Sequence, residues 1–157
     1  MTPAVLDAQR QRIDFHLHEY QHDPQAASYG LEAAEKMGVP AARVFKTLVV
    51  QLNSGQLVVA LVPVMQQLNL KLLAQAAGAK KASLAPAALV EKTTGYVLGG
   101  VSPLGQKKKL PTWVDLSALD DKPIYVSAGR RGLEIQLAVE DLLRLTQGQT
   151  AHLTLAS

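Results

Sequence analysis

The pattern of apolar and polar positions along the chain predicts short helices mixed with strands. Apolar residues spaced three and four apart are typical of amphipathic helices, whereas apolar runs and strict alternation are typical of strands. The predicted helices are residues 3–12, the segment between Ser28 and Gly38, the segment between Asn69 and Gly78, a short turn at 86–91, and residues 139–146. The predicted strands are residues 14–20, 43–52, 56–62, 110–116, 124–128, 133–138 and 151–155.

The order of these elements favours one fold class. Turn sequences join two pairs of strands into hairpins, at Asn53–Gly55 and at Gly129–Gly132. Because hairpins mix with helices and strict β-α-β alternation is absent, we expect an α+β fold or a mixed sheet that curls, and no doubly wound parallel sheet. The 157 residues contain no repeat and no linker, which predicts a single domain over residues 1–157.

Composition excludes several kinds of site. The chain has no cysteine, so disulfides, thiolate metal sites and a cysteine nucleophile are excluded. No apolar run approaches the about 18 residues of a membrane span. The first residues lack the basic start and apolar core of a signal peptide, so we expect a cytoplasmic location.

One segment, residues 95–109, combines four glycines with a run of three lysines. Glycine lets backbone approach a ligand closely, and a local cluster of cations suits a phosphate-bearing partner. The segment is therefore a candidate for the floor of a binding site. The alternative is a tight turn followed by a solvated basic strand.

Lys46 is the most unusual single residue. In an extended strand it shares a face with Val44, Leu48 and Val50, and the opposite face is also largely apolar. A lysine in such a strand either is paired, or points into a cavity, or reaches water from the end of the strand. The pattern leaves these alternatives open.

Two polar residues of the second hairpin form another candidate pair. If the turn is Gly129–Gly132, Ser127 and Glu134 are cross-strand neighbours. Both residues alternate with apolar residues along their strands, so the simple alternative is that both face solvent.

Other kinds of chemistry have weaker support. His16 and His18 share a strand face, but a zinc site needs a third ligand and none has suitable spacing, so we expect no metal. The sequence contains no Gly-x-Ser-x-Gly elbow, no Walker motif and no dinucleotide fingerprint. Trp113 is single, so interleaved aromatics for base stacking are also missing.

A set of short motifs resembles a known family. The motifs are Phe45-Lys46-Thr47-Leu48, Thr94-Gly95-Tyr96, Gly99-Gly100-Val101-Ser102-Pro103-Leu104-Gly105, Tyr125-Val126-Ser127 and Arg131-Gly132-Leu133. Together they resemble the YbaK/EbsC-like aminoacyl-tRNA deacylases, which are related to the editing domain inserted in some prolyl-tRNA synthetases. The similarity extends over essentially the whole chain, and residues 1–4, 18–20 and 22–24 look like the YbaK branch, which hydrolyses Cys-tRNA(Pro).

The resemblance implies a fold and a set of site residues. The fold would be a mixed α/β domain around a curled, barrel-like sheet with flanking helices, and the family uses no metal or organic cofactor. The lysine on which activity depends most matches Lys46, and the paired glycines that frame the pocket match Gly99 and Gly100. The positions that match other pocket residues of the family are Tyr20, Tyr29 and Ser127.

Two positions depart from the family pattern. Glu134 stands where better-known members have Asp, and the extra methylene moves the carboxylate. Ala128 stands where they have Gly, and alanine would be strained if the site required positive φ.

The resemblance also implies a substrate and partners. For a cysteinyl ester, the substrate's own thiol would attack its carbonyl carbon, and Lys46 would hold the ribose or phosphate or stabilise the oxyanion. The alternatives are removal of alanine from tRNA(Pro) by water and a non-catalytic module that binds tRNA or a synthetase. We expect tRNA(Pro) and prolyl-tRNA synthetase as partners. The residues expected to contact phosphates of the acceptor end are Lys80, Lys107, Lys108, Lys109 and Arg130.

Overall fold

The computed structural model describes residues 1–26 and 28–155. It contains helices and strands in mixed order, as the apolar pattern predicts. The helices are α1 (Pro3–Arg10), α2 (Tyr29–Met37), α3 (Leu70–Ala77), α4 (Ala87–Thr94) and α5 (Val139–Thr146), with 3-10 turns at Ala41–Arg43 and Leu116–Ala118. The strands are β1 (Phe15–Glu19), β2 (Phe45–Leu52), β3 (Leu57–Pro63), β4 (Ala82–Leu84), β5 (Thr112–Asp115), β6 (Ile124–Arg130), β7 (Leu133–Leu137) and β8 (Gln149–Ala151).

Local capping sets the ends of the first three helices. The side chains of Thr2, Ser28 and Asn69 each accept a hydrogen bond from a backbone N–H in the first turn of the helix that follows. Gly38 and Gly78 adopt the left-handed conformation that ends α2 and α3. These predicted boundaries are confirmed.

Four elements differ clearly from the prediction. The short turn at 86–91 extends into the full helix α4, and the last strand lies at Gln149–Ala151 rather than at 151–155. The sequence predicts that Gly148 ends α5, but the helix is capped one residue earlier by Gln147, which takes the left-handed conformation with φ 53°. Strand β4 was not predicted because its three residues are too few to show a period.

The strands form two sheets. The larger sheet has the order β4-β2-β3-β5-β8 and mixes antiparallel with parallel pairs, whereas the smaller sheet, β1-β7-β6, is antiparallel. The α+β class is therefore confirmed. The two sheets do not close into a barrel, and an isolated parallel bridge from Val44 to Tyr125 lies where they approach each other.

The core lies on both faces of the larger sheet. Phe45 and Val49 pack into the main cluster together with residues of α1, α4, α5 and the smaller sheet. Val50, one residue further along β2, packs into a second cluster with Leu73 of α3. Strand β2 is thus covered on both faces, as its nearly continuous apolar sequence indicates.

The outer edge of β2 is only partly paired. It forms a ladder with β4 at Val50–Leu52, and at its other end Val44 bridges to Tyr125 of β6. Between these contacts β2 and β6 diverge. The fork between them is where a cavity opens.

Candidate functional site

The fork holds a cavity of about 340 Å³. Its wall comes from β2, β6, β7, the start of α2 and the segment after α4. Six of the residues singled out in the sequence line it: Tyr20, Tyr29, Lys46, Gly99, Ser127 and Glu134. A cavity of this size suits a small ligand with a few polar contacts.

Lys46 is the second residue of β2 and lines the cavity. Its side chain is half-buried, and burial lowers the pKa of its ammonium group. No carboxylate of the described chain lies within the 4.0 Å of a salt bridge to its nitrogen. The cavity therefore contains a cation whose charge is available to a ligand.

Ser127 and Glu134 face the same cavity from the smaller sheet. They are direct cross-strand partners, as predicted. The alternative that both face solvent is wrong for Glu134, which is 7% exposed, because β7 is the central strand of its sheet and the cavity wall covers this face. Burial raises the pKa of Glu134 to about 8, so its carboxyl is largely protonated at neutral pH and can donate a hydrogen bond.

Tyr20 lies next to Glu134 in this wall. Its N–H donates to the carbonyl of Gly132 over 2.9 Å. Burial, followed by the charges of Glu134 and Glu32, raises the pKa of the Tyr20 phenol to about 12. Tyr20 therefore stays neutral and can donate as well as accept a hydrogen bond.

The paired glycines are required by close packing. Gly99 has φ +88°, and a Cβ there would lie 2.3 Å from Nε of Arg131 and 3.0 Å from the Tyr29 ring. A Cβ on Gly100 would lie 2.8 Å from the Cα of Arg130. Gly99 lines the cavity, whereas Gly100 lies behind it against the β6–β7 hairpin.

The structure adds two residues that sequence reasoning missed as site residues. Thr47 lines the cavity, and its buried hydroxyl makes no hydrogen bond to the described residues. The carbonyl of Val49 accepts from Ala85 on the outer edge of β2, so the backbone groups of Thr47, two residues earlier, point the same way. The two-residue repeat of a strand could have indicated the direction of these backbone groups. The divergence of β2 from β6, which leaves the edge open, depends on elements distant in the chain.

Arg131 is the second missed residue. Its guanidinium lies 4.4 Å from the centre of the Tyr29 ring, and its Nη2 donates to the Leu98 carbonyl over 2.9 Å. The centre of the His22 ring lies 5.3 Å from the centre of the same Tyr29 ring. The sequence places Arg131 in the turn between β6 and β7 and in one of the family-like motifs, but neither observation assigns it to the site.

The other basic residues do not line the cavity. Lys107, Lys108 and Lys109 are exposed and line a separate groove with Lys92 of α4, with a volume of about 750 Å³. The side chain of Arg130 lies 3.6 Å from the carboxylate of Glu19. The segment 95–109 thus contributes to both places, with its glycine end at the cavity and its lysine end in the groove.

Lys80 lies at the far end of β2 from Lys46. It is exposed, and its backbone N–H donates to the side chain of Asn53 in the β2–β3 turn. Lys80 is therefore placed near the end of the sheet and not at the cavity.

The alanine at 128 causes no backbone strain. Ala128 does not have positive φ, because the irregularity between Ser127 and Arg130 places that conformation at Gly129, with φ +111°. Ala128 is buried, and its carbonyl accepts a hydrogen bond from the Thr2 hydroxyl. The departure from the family's glycine is therefore accommodated locally.

The described residues contain neither a cluster of metal ligands nor a helix that could span a membrane. Over residues 1–26 and 28–155, no three His, Cys, Asp or Glu side chains are grouped as metal ligands would be. None of the helices in the same ranges has the length and apolar character needed to cross a membrane.

Comparison with known proteins identifies relatives of the whole chain. Residues 23–145 match the model of the aminoacyl-tRNA editing domain. EbsC of Enterococcus faecalis, named as a candidate Cys-tRNA(Pro)/Cys-tRNA(Cys) deacylase, is 40% identical over 98% of this chain and 93% of its own.

Solved structures share the fold. The hypothetical protein APE2540 has a TM-score of 0.86 at 26% identity, covering 98% of this chain and 99% of its own. A candidate trans-editing enzyme for prolyl-tRNA synthetase has a TM-score of 0.83 at 23% identity, covering 99% of both chains. The match to the domain model and the near full-length relative show that this chain belongs to the aminoacyl-tRNA editing domain family.

Proposed function

We propose that the protein removes mischarged amino acids from tRNA, with Cys-tRNA(Pro) as its main substrate. Membership of the editing family supports deacylation, and the name of the EbsC relative supports the cysteinyl ester. The observation that carries the proposal is the Lys46 ammonium, half-buried in a small cavity beside Gly99 and without a carboxylate partner in the described chain.

The cysteinyl ester explains how a site without a nucleophile of its own can work. The substrate thiol attacks the ester carbonyl carbon, the carbon–oxygen bond to the ribose breaks, and cysteine leaves as a cyclic thioester. The thiol proton is balanced by protonation of the leaving ribose oxygen. The protein then needs to fold the aminoacyl group into the reactive shape and to stabilise the negative charge that develops on oxygen.

The cavity residues are suited to both tasks, orienting the aminoacyl group and stabilising the charge on oxygen. Lys46 is the group we assign to the developing oxyanion or the ribose oxygen, because its ammonium is the cation in the wall. Glu134 in its neutral form and Tyr20 donate hydrogen bonds to the polar atoms of the aminoacyl group. Ser127 and Tyr29 complete the wall around it, and Gly99 allows the backbone to approach closely.

The basic groove is assigned to the tRNA body. Lys107, Lys108 and Lys109 would hold phosphates of the acceptor stem, with Lys80 and Arg130 adding weaker contacts at other positions. Such contacts give affinity that depends on salt and little on sequence. Choice of tRNA(Pro) would then come from prolyl-tRNA synthetase as a partner in the cytoplasm.

A deacylation panel tests this proposal. The purified protein is given Cys-, Ala-, Ser- and Pro-tRNA(Pro), each with and without the synthetase. We expect Cys-tRNA(Pro) to be turned over fastest and Pro-tRNA(Pro) to be spared. Turnover of none of the four, with binding retained, would show a non-catalytic module instead.

The same panel distinguishes thiol attack from water attack. 2-Aminobutyrate has the size of cysteine without its sulfur, so its ester on tRNA(Pro) keeps the contacts and removes the nucleophile. Loss of turnover with this substrate supports thiol attack. Equal turnover, together with efficient removal of alanine, would show that water is the nucleophile.

A further inference from the structure

We propose that Arg131 binds the phosphate on the 5′ side of the esterified nucleotide. The assignment rests on the proposed function, because it requires that the aminoacyl ester occupy the Lys46 cavity. It adds a phosphate-binding residue at the rim of that cavity, separate from the basic groove of residues 107–109.

The guanidinium of Arg131 is held in one position at the rim. It stacks on Tyr29, bonds to the carbonyl of Leu98 and touches the backbone of Gly99. All three of these partners line the cavity. A guanidinium fixed by stacking loses less side-chain entropy on binding than a free lysine does.

The charge of Arg131 is available for a ligand. The side chain is exposed, and no carboxylate of residues 1–26 and 28–155 lies within salt-bridge distance of it. Its one hydrogen bond within the described chain is to Leu98, so most of its five donors are free. The neighbouring Arg130 differs in this respect, because it lies beside Glu19.

The chemistry of the substrate selects the ligand. An esterified terminal nucleotide has one permanently anionic group, its 5′ phosphate, and this group is separated from the ester by a single ribose. If the aminoacyl group lies in the cavity between Lys46 and Gly99, the phosphate one ribose away lies at the rim, beside Arg131. The planar fork of a guanidinium matches two phosphate oxygens at once.

Stable analogues test the assignment. We compare two compounds in which a 3′-amide links cysteine to adenosine, one with and one without a 5′ phosphate, and measure their binding calorimetrically. For the wild-type protein we expect the phosphate to tighten binding about fivefold or more at low salt. Arg131→Gln should lose this advantage, Arg131→Lys should keep part of it, and Arg144→Gln, which changes an exposed arginine of α5, should keep all of it.

Several results would overturn the assignment. One is an equal phosphate advantage in wild type and in a correctly folded Arg131→Gln variant. Another is equal weakening of both analogues by that variant, which would show that Arg131 only positions Tyr29 and the glycine loop. If the wild-type protein deacylates Cys-tRNA(Pro) but shows no phosphate advantage, only the assignment of Arg131 is refuted. If the protein fails in the deacylation panel, the proposed function itself is refuted.

Discussion

Lys46 and the lysines at 107–109 carry the same ammonium group in opposite surroundings. Lys46 is half-buried on a strand that is packed on both faces, and its pKa is lowered by burial. Lys107–Lys109 are exposed along an open groove. A charge in a partly dry cavity acts strongly on one oxygen atom, whereas exposed charges act weakly and are screened by salt. The first arrangement suits chemistry and the second suits holding a polyanion.

The largest expected effect on activity is from Lys46→Ala. Because this change removes the cation proposed to stabilise the transition state, we expect kcat for Cys-tRNA(Pro) to fall at least about tenfold, equivalent to about 1.4 kcal/mol of barrier. Steady-state deacylation measures it. Lys108→Ala is the matched control, and it should leave kcat unchanged. An unaltered kcat in a folded Lys46→Ala protein would remove Lys46 from the mechanism.

The next effect concerns Glu134 and pH. The folded protein holds a proton on Glu134 up to about pH 8, whereas the unfolded chain releases it near 4.5. Stability from this group is therefore present below pH 4.5 and is lost as pH rises through 8. Between pH 5 and pH 9, the wild-type free energy of unfolding should fall by on the order of 2–4 kcal/mol more than that of Glu134→Gln.

Urea unfolding at several pH values measures this difference. Glu91→Gln changes an exposed glutamate and should follow the wild-type curve. Parallel pH dependence in wild type and Glu134→Gln would mean that Glu134 is ionised in the folded protein at neutral pH.

A smaller effect is expected from Gly99→Ala. The new Cβ would meet Arg131 and Tyr29 at a backbone with positive φ, so we expect a loss of about 1–3 kcal/mol of stability together with reduced deacylation. Gly55→Ala is the matched control, because Gly55 has φ +93° but open space around it. Denaturant unfolding should show a smaller loss for the control, and its deacylation should be normal. If both variants behave alike, close packing at Gly99 is unimportant.

The smallest effect is expected from the groove. Changing Lys107, Lys108 and Lys109 together to Gln should raise KM about threefold at low salt, leave kcat unchanged and reduce the salt dependence of kcat/KM. The difference from wild type should disappear at high salt. Lys71→Gln, an exposed change on α3, serves as the control. A fall in kcat would place this run in the catalytic machinery.

Much of the fold follows from local sequence. Caps at Thr2, Ser28 and Asn69 and the turn at Asn53–Gly55 are short-range signals, and the elements that they bound are found. Both alternating sets of side chains along β2 are largely apolar, which also predicts that the strand is buried on both faces. The remainder of the fold concerns distant pairings. Whether the two sheets close into a barrel, which strand β8 pairs with and whether β4 exists all depend on contacts that no local pattern contains.

Some residues of the candidate site can likewise be suggested from local sequence, whereas others depend on distant contacts. The alternation of side chains along β2 makes Lys46 a candidate, and turn-like spacing together with the family resemblance does so for the glycine pair. The cross-strand pairing of Glu134 was also predicted, but its burial was not, because this depends on β7 being a central strand under the cavity wall. Arg131 was missed because its contacts to Tyr29 and Leu98 join residues far apart in the chain.

The titration of Lys46 by NMR in the wild-type protein tests the central claim most directly. Its side-chain nitrogen is followed against pH with and without the 3′-amide analogue of cysteinyl-adenosine, and Lys107–Lys109 provide internal controls in the same spectra. We predict that Lys46 titrates below the ordinary pKa of a lysine and that its signal shifts when the analogue binds. A Lys46 with an ordinary lysine pKa and no response to bound analogue would contradict the account.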